Sequence, residues 1–212
     1  MTRVQLIFTL GVLCLVTCPA GPFAQERRLM SPAGGSATQV GGYYDPVRGF
    51  VNGDWIEVRY GRPLKRGRDT FGADDYREHL NDGAPIWRAG ANQTTRLITD
   101  VPLVFGTTTI ASGEYTLFID LGATPWEFIV SSWPAQVGYD ADNREALFGA
   151  FEYTPDRDVV RLPMTVETLP RSFDQLSWQF LDMTDTGGTL ALLWDTKLFS
   201  VPFTVALEAP PR

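Results

Sequence analysis

From Trp55 onward the apolar residues of this chain recur at every second position in short runs, and that period leaves few folds open. Ile56, Val58 and Tyr60 alternate with Glu57 and Arg59, and Tyr115, Leu117 and Ile119 with Thr116, Phe118 and Asp120. Leu176, Trp178 and Phe180 share one face of a later run, as do Phe199, Val201, Phe203 and Val205. A period of two sends alternate side chains to opposite faces of a β-strand. Further strands are expected over 96–99, 101–105, 126–131, 157–169, 173–183, 189–195 and 198–206, with Pro102 marking an edge or bulge. The segment 126–131 should pair with 114–121 as a hairpin, and Asp185-Thr186-Gly187-Gly188 has the chemistry of a turn. A short helix near 73–80 is the one helical candidate, and 146–153 reads as irregular or an edge strand. The fold class is therefore all-β: an antiparallel β-sandwich, jelly-roll-like or Ig-like, with roughly eight or nine strands and long loops.

The 212 residues fit one domain, placed at 51–208. Residues 1–24 have the parts of a secretory signal peptide: Arg3, an apolar run from Val4 to Val16, then small residues and Pro. That run is too short to span a membrane. Cleavage after Ala24 or Ala20 would remove Cys14 and Cys18, the chain's 2 cysteines, and leave a mature protein without a disulfide in a periplasmic or extracellular setting. A competing reading makes Cys18 the acylated end of a lipoprotein, but Thr17 fits that pattern poorly. Residues 25–50, rich in Gly, Ser, Ala and Pro, read as a flexible lead-in. A net charge of -7 argues against nucleic acid or an anionic membrane as partner.

The inventory of reactive side chains is thin. His79 is the single histidine and the mature chain has no thiol, which excludes a cysteine nucleophile and a Cys/His zinc site. Asp75 and His79 stand at i,i+4 spacing and would share a face of a helical turn, where a carboxylate can orient an imidazole base. The stretch from Tyr139 to Glu145 alternates oxygen ligands but lacks the central Gly and distant Glu of a calcium loop, and Arg144 intrudes. No metal, no cofactor and no catalytic set is assigned.

Two clusters between Tyr60 and Thr95 stand apart. Arg62, Lys65, Arg66 and Arg68 crowd a loop, and guanidinium forks suit carboxylate or phosphate groups. Trp87, Arg88, Asn92 and Gln93 could add a stacking surface, a further fork and amide groups. The same residues could equally lock a long loop internally, with Trp87 in the core.

At these residues the chain resembles DUF2911, a family of exported bacterial proteins of unestablished function. The likeness rests on Tyr60, Arg62, Pro63, Gly67, Arg68, Phe71 and Gly72; on Trp87, Arg88, Gly90, Ala91, Asn92 and Thr95; on Gly113, Tyr115, Leu117 and Phe118; and on Gly149, Phe151, Tyr153, Asp158 and Arg161. Gly61 replaces the family's usual Ser, Arg66 its Lys, and Gln93 its usual Glu, which removes a carboxylate that acid–base chemistry would use. The resemblance implies the fold, export and the position of a site, without a reaction. The function expected is a non-enzymatic binding module for a small polar or anionic ligand or an envelope glycan, held by Arg62, Lys65, Arg68, Trp87, Arg88, Asn92 and Gln93. The alternatives are a hydrolase using Asp75 and His79, and a structural or protein-interaction domain.

Overall fold

The computed structural model describes residues 31–206. The expected signal peptide with Cys14 and Cys18 and the start of the expected lead-in lie outside the described residues, as do 207–208 at the end of the expected domain. Among the described residues there are twelve strands and one short α-helix, α1 (Tyr76–Asn81).

Two antiparallel sheets face each other. The first has the order β1 (Ala33–Val40), β4 (Asp54–Gly61), β5 (Thr95–Thr99), β8 (Gly113–Asp120), β9 (Glu127–Ser131) and β10 (Asp158–Pro163). The second has the order β11 (Thr165–Thr184), β12 (Gly187–Val205), β6 (Leu103–Phe105) and β7 (Thr108–Ile110). A separate hairpin pairs β2 (Tyr43–Asp45) with β3 (Gly49–Val51). The alternating residues meet between the sheets: Ile56, Val58, Leu97, Leu117, Phe128, Trp178, Leu192 and Phe199 are fully buried there. Each such side chain contributes on the order of 2 kcal/mol of transfer free energy.

The sandwich departs from the expected strand list in specific places. Residues 157–169 divide at Met164 between two sheets, because Met164 turns inward and its amide donates to Trp126 O. The two segments expected at 189–195 and 198–206 are one strand, β12, in which the inward set shifts from Leu190, Leu192 and Trp194 to Phe199 and Val201. The shift occurs at Asp195, whose φ is 53° and where the register with β11 breaks on both sides of Phe173. Such a bulge re-aims side chains.

The lead-in expected over 25–50 is corrected for Ala33–Val40. This segment is an edge strand in continuous register with β4, from Ala33 opposite Gly61 to Val40 opposite Asp54. Its composition cannot order it alone, but β4 supplies the backbone partners. Ser36 Oγ donates to Trp178 O at 2.5 Å, tying that edge to the second sheet, and a side chain at Gly34 would overlap the stem of Arg62.

A second, smaller core lies outside the first sheet. Phe118 and Ile129 point away from the sandwich and are covered by Ala84, Ile86, Leu147, Ala150 and Tyr153, so β8 and β9 are buried on both faces. The covering segments are the loop before β5 and the long loop between β9 and β10.

Candidate functional site

The loop after β4 is fastened before it reaches α1. Leu64 makes an isolated antiparallel bridge to Gln175, with Lys65 N donating to Asp174 O and Leu176 N to Pro63 O. Arg66 and Gly67, with φ of 52° and 74°, then reverse the chain. Phe71 plugs the loop into the sandwich, its ring centroid 5.3 Å from that of Phe199, 5.8 Å from Trp126 and 6.0 Å from Trp194.

Asp195, at the β12 bulge, is the hub of this region. It is 4% exposed and accepts from Lys65 Nζ at 2.5 Å and Ser172 Oγ at 2.8 Å on Oδ1, and from Thr70 N at 3.4 Å on Oδ2. Burial works to raise its carboxyl, and the bonds from Lys65, Ser172 and Thr70 outweigh that and hold it below the ordinary carboxylate value.

Beside the hub lies a cavity of about 470 Å³ between the loop, α1 and β12, lined by Arg68, Thr70, Asp75, Tyr76, His79 and Trp194, with Asp69, Ala73 and Leu80 completing it. Tyr76 and Trp194 both pack on Phe71, and Trp194 stacks on Trp87 at 6.1 Å, so the aromatic wall is rigidly backed. Arg68 donates through Nε to Lys65 O and through Nη2 to Leu64 O, leaving Nη1 outside these bonds. His79 Nε2 lies 3.0 Å from Asp75 Oδ2 at the rim, both side chains being largely exposed. Thr70 is 7% exposed, and its hydroxyl is buried without a hydrogen-bond partner. Few native polar groups are left in that state.

The expected site residues do not converge on one pocket. Lys65 and Arg68 belong to the region just described. Arg62 extends the other way, from Nε to Leu176 O and from Nη2 to Ser177 Oγ. Trp87 is 1% exposed in the core, its N–H and C=O exchanging bonds with Ile119, so its ring offers no open face. Arg88 is largely covered; its Nη2 reaches Asp82 at 3.4 Å, Nε has no partner, and Gly149 leaves room for the chain to pass. Asn92 donates to Ser31 O and Gln93 to Val137 O, each closing a loop. Arg62, Asn92 and Gln93 thus act as internal fasteners, because long polar side chains beside uncapped carbonyls satisfy them.

A second polar cluster joins residues that the family resemblance had named singly. Tyr153 donates to Asp158 Oδ2 at 2.5 Å, and Arg161 reaches Asp120, Glu127 and Asp158. Burial, followed by the bond to Asp158 and its charge, pushes the Tyr153 phenol above its ordinary value. This cluster locks β8, β9 and β10 together at one end. Among the described residues no group of three His, Cys, Asp or Glu side chains is placed to hold a metal ion, and no helix is long and apolar enough to cross a membrane.

Sequence reasoning missed Thr70, Tyr76 and Trp194. A buried Thr between Asp69 and Phe71 carries no spacing signal, and Trp194 reads as any inward strand residue. A family model described as a protein of unknown function, DUF2911, matches residues 45–203, while no curated protein and no solved structure matches the chain.

Proposed function

The chain belongs to the DUF2911 family of proteins of unknown function, and from that premise we propose that it is an exported binding module whose cavity between α1 and β12 takes a small, neutral, hydroxyl-rich ligand of the sugar class. Export is supported by the N-terminal residues, with Arg3 followed by the apolar run from Val4. The observation that carries the ligand class is the lining of that cavity, where the half-buried ring of Tyr76 stands beside the exposed polar side chains of Arg68, Asp69 and Asp75. Charge separates the ligand classes. Asp69 and Asp75 oppose the single guanidinium of Arg68, so an anion would meet net repulsion, whereas carboxylates and a guanidinium nitrogen together serve neighbouring hydroxyls as acceptors and donor.

The test is calorimetric titration and thermal shift of the purified protein with neutral monosaccharides and disaccharides, with sugar acids as the contrast. A neutral sugar at a hundred times its Kd should stabilise the fold by about 2.7 kcal/mol. Asp75→Asn, an isosteric change at an exposed position of the lining, should fold as well as the parent and should bind about tenfold more weakly. Stabilisation by sugar acids alone, or binding indifferent to Asp75→Asn, overturns the reading.

A hydrolytic reading has one observation in its favour, the 3.0 Å contact of His79 with Asp75 on the rim of the same cavity. It requires release of reducing ends from a glycoside, abolished by His79→Gln while binding persists.

A further inference from the structure

The long loop between β9 and β10 forms a second cavity, of about 600 Å³, on the far side of the first sheet from the sandwich core. Three aromatic rings line it: Tyr139, 72% exposed, Phe151, 43% exposed, and Phe148. Tyr139 and Phe148 meet edge to face with centroids 5.4 Å apart. Exposed rings on a loop ordinarily collapse onto the nearest apolar surface. Here the loop is held open by its own polar frame. Gln136, 8% exposed, donates to Asn143 O and Ala146 O and accepts from Asp140 N, spending its whole amide on the loop backbone. Asp140 Oδ1 accepts from Asp142 N, and Oδ2 lies outside that turn. At the mouth Arg144 pairs with Glu152.

We propose that this cavity is a binding site for an organic ammonium ion, a quaternary ammonium group being its best occupant. The faces of aromatic rings carry negative potential, and rings arranged around a cation attract it more strongly than they attract a neutral group of the same shape. Asp140 and Glu152 outnumber Arg144 in the lining, and the net charge of -7 on the chain favours cations over anions at its surface. The same loop already uses this chemistry internally, with the Arg157 guanidinium 3.9 Å from the centroid of the Trp133 ring. The contrast with the cavity beside α1 is physical. There the lining offers one accessible ring, Tyr76, Trp194 being 3% exposed, so a cation finds no cage of rings.

The experiment titrates the purified protein with choline chloride and, in parallel, with 3,3-dimethylbutan-1-ol, the neutral carbon isostere of choline. Choline should bind at least about tenfold more tightly than the isostere, a preference in the range of cation–π energies. Phe151→Ala and Tyr139→Ala, both at exposed positions, should each weaken choline about tenfold, and Tyr139→Phe should leave it unchanged, since the ring and not the hydroxyl makes the contact. Asp75→Asn should have no effect, which keeps the outcome separate from that of the sugar reading. Equal affinity for the isostere would reduce the cavity to an apolar one. Absence of choline binding up to about 50 mM, an affinity weaker than any specific contact of this kind supplies, or binding insensitive to Phe151→Ala, would overturn the proposal.

Discussion

Asp195 and Gly61 show how far single residues hold the candidate region in place. The Lys65–Asp195 pair is nearly enclosed, with side chains 19% and 6% exposed. Removing one partner strands the other charge, so Lys65→Met should cost about 3 kcal/mol at neutral pH. Its pH dependence has a definite sign. The folded-state carboxyl of Asp195 lies below its ordinary value of about 3.9, so the pair's contribution is complete above that pH and is lost as pH falls through the depressed value. Denaturant titrations of parent and Lys65→Met should therefore differ at pH 7 and converge in strong acid; a difference that grows in acid would contradict the pairing. Gly61 is the complementary case, where nothing fits. A Cβ there would fall 1.8 Å from Ala91 O, because the end of β4 lies directly against the 89–91 loop. Gly61→Ser, which restores the residue usual in the resemblance, should destabilise by about 1–3 kcal/mol through overpacking. A neutral result in chemical denaturation would mean that the loop gives way.

At the scale of elements, the strands legible in the sequence are those whose two faces see different surroundings. β4 and β5 alternate cleanly, and the β8–β9 hairpin was readable from its turn and its inward set. Phe118 belongs to the polar-facing set of that alternation and is nevertheless fully buried, because a loop from elsewhere in the chain covers it. No local pattern announces such a cover. β1 was invisible for a different reason. Its residues Ala33, Gly34, Gly35, Ser36 and Ala37 have little side chain to pack, and the strand exists through backbone bonds to β4 and the Ser36–Trp178 contact. The site was half legible: cations and the Asp75–His79 pair marked the loop, but the cavity is completed by Trp194, an inward residue of β12 more than a hundred positions away in the chain. Shortening the protein to begin at Gly41 should expose the β4 edge, lower the melting temperature by about 5 °C or more and promote aggregation. Calorimetry and light scattering of the shortened protein check this, and coincident melting curves would return the segment to the status of a dispensable lead-in.

For the whole molecule, the two cores imply an order of local stability that neither sheet alone would give. β8 and β9 sit between the main core and the outer one, with Phe118, Ile119, Phe128, Ile129 and Val130 all fully buried. Opening them requires loss of both cores. The β2–β3 hairpin is the opposite extreme: it forms its own two-stranded sheet, and Tyr43, Tyr44, Val47 and Phe50 are all more than half exposed. Its amides can open without disturbing either core. Hydrogen exchange followed by mass spectrometry should find the amides of 116–119 and 128–131 exchanging only through global unfolding and those of 43–51 exchanging fastest among the strands. The loop carrying the aromatic cavity should fall between them, because Gln136, Thr94 and the Leu147–Gln136 backbone pair fasten it while its rim stays exposed. Choline should then slow exchange in 136–152 and leave 68–80 unchanged, and a neutral sugar should do the reverse. If both ligands slowed the same segment, the two cavities would not be separate sites, and the division of ligand chemistry between the faces of the first sheet would fail.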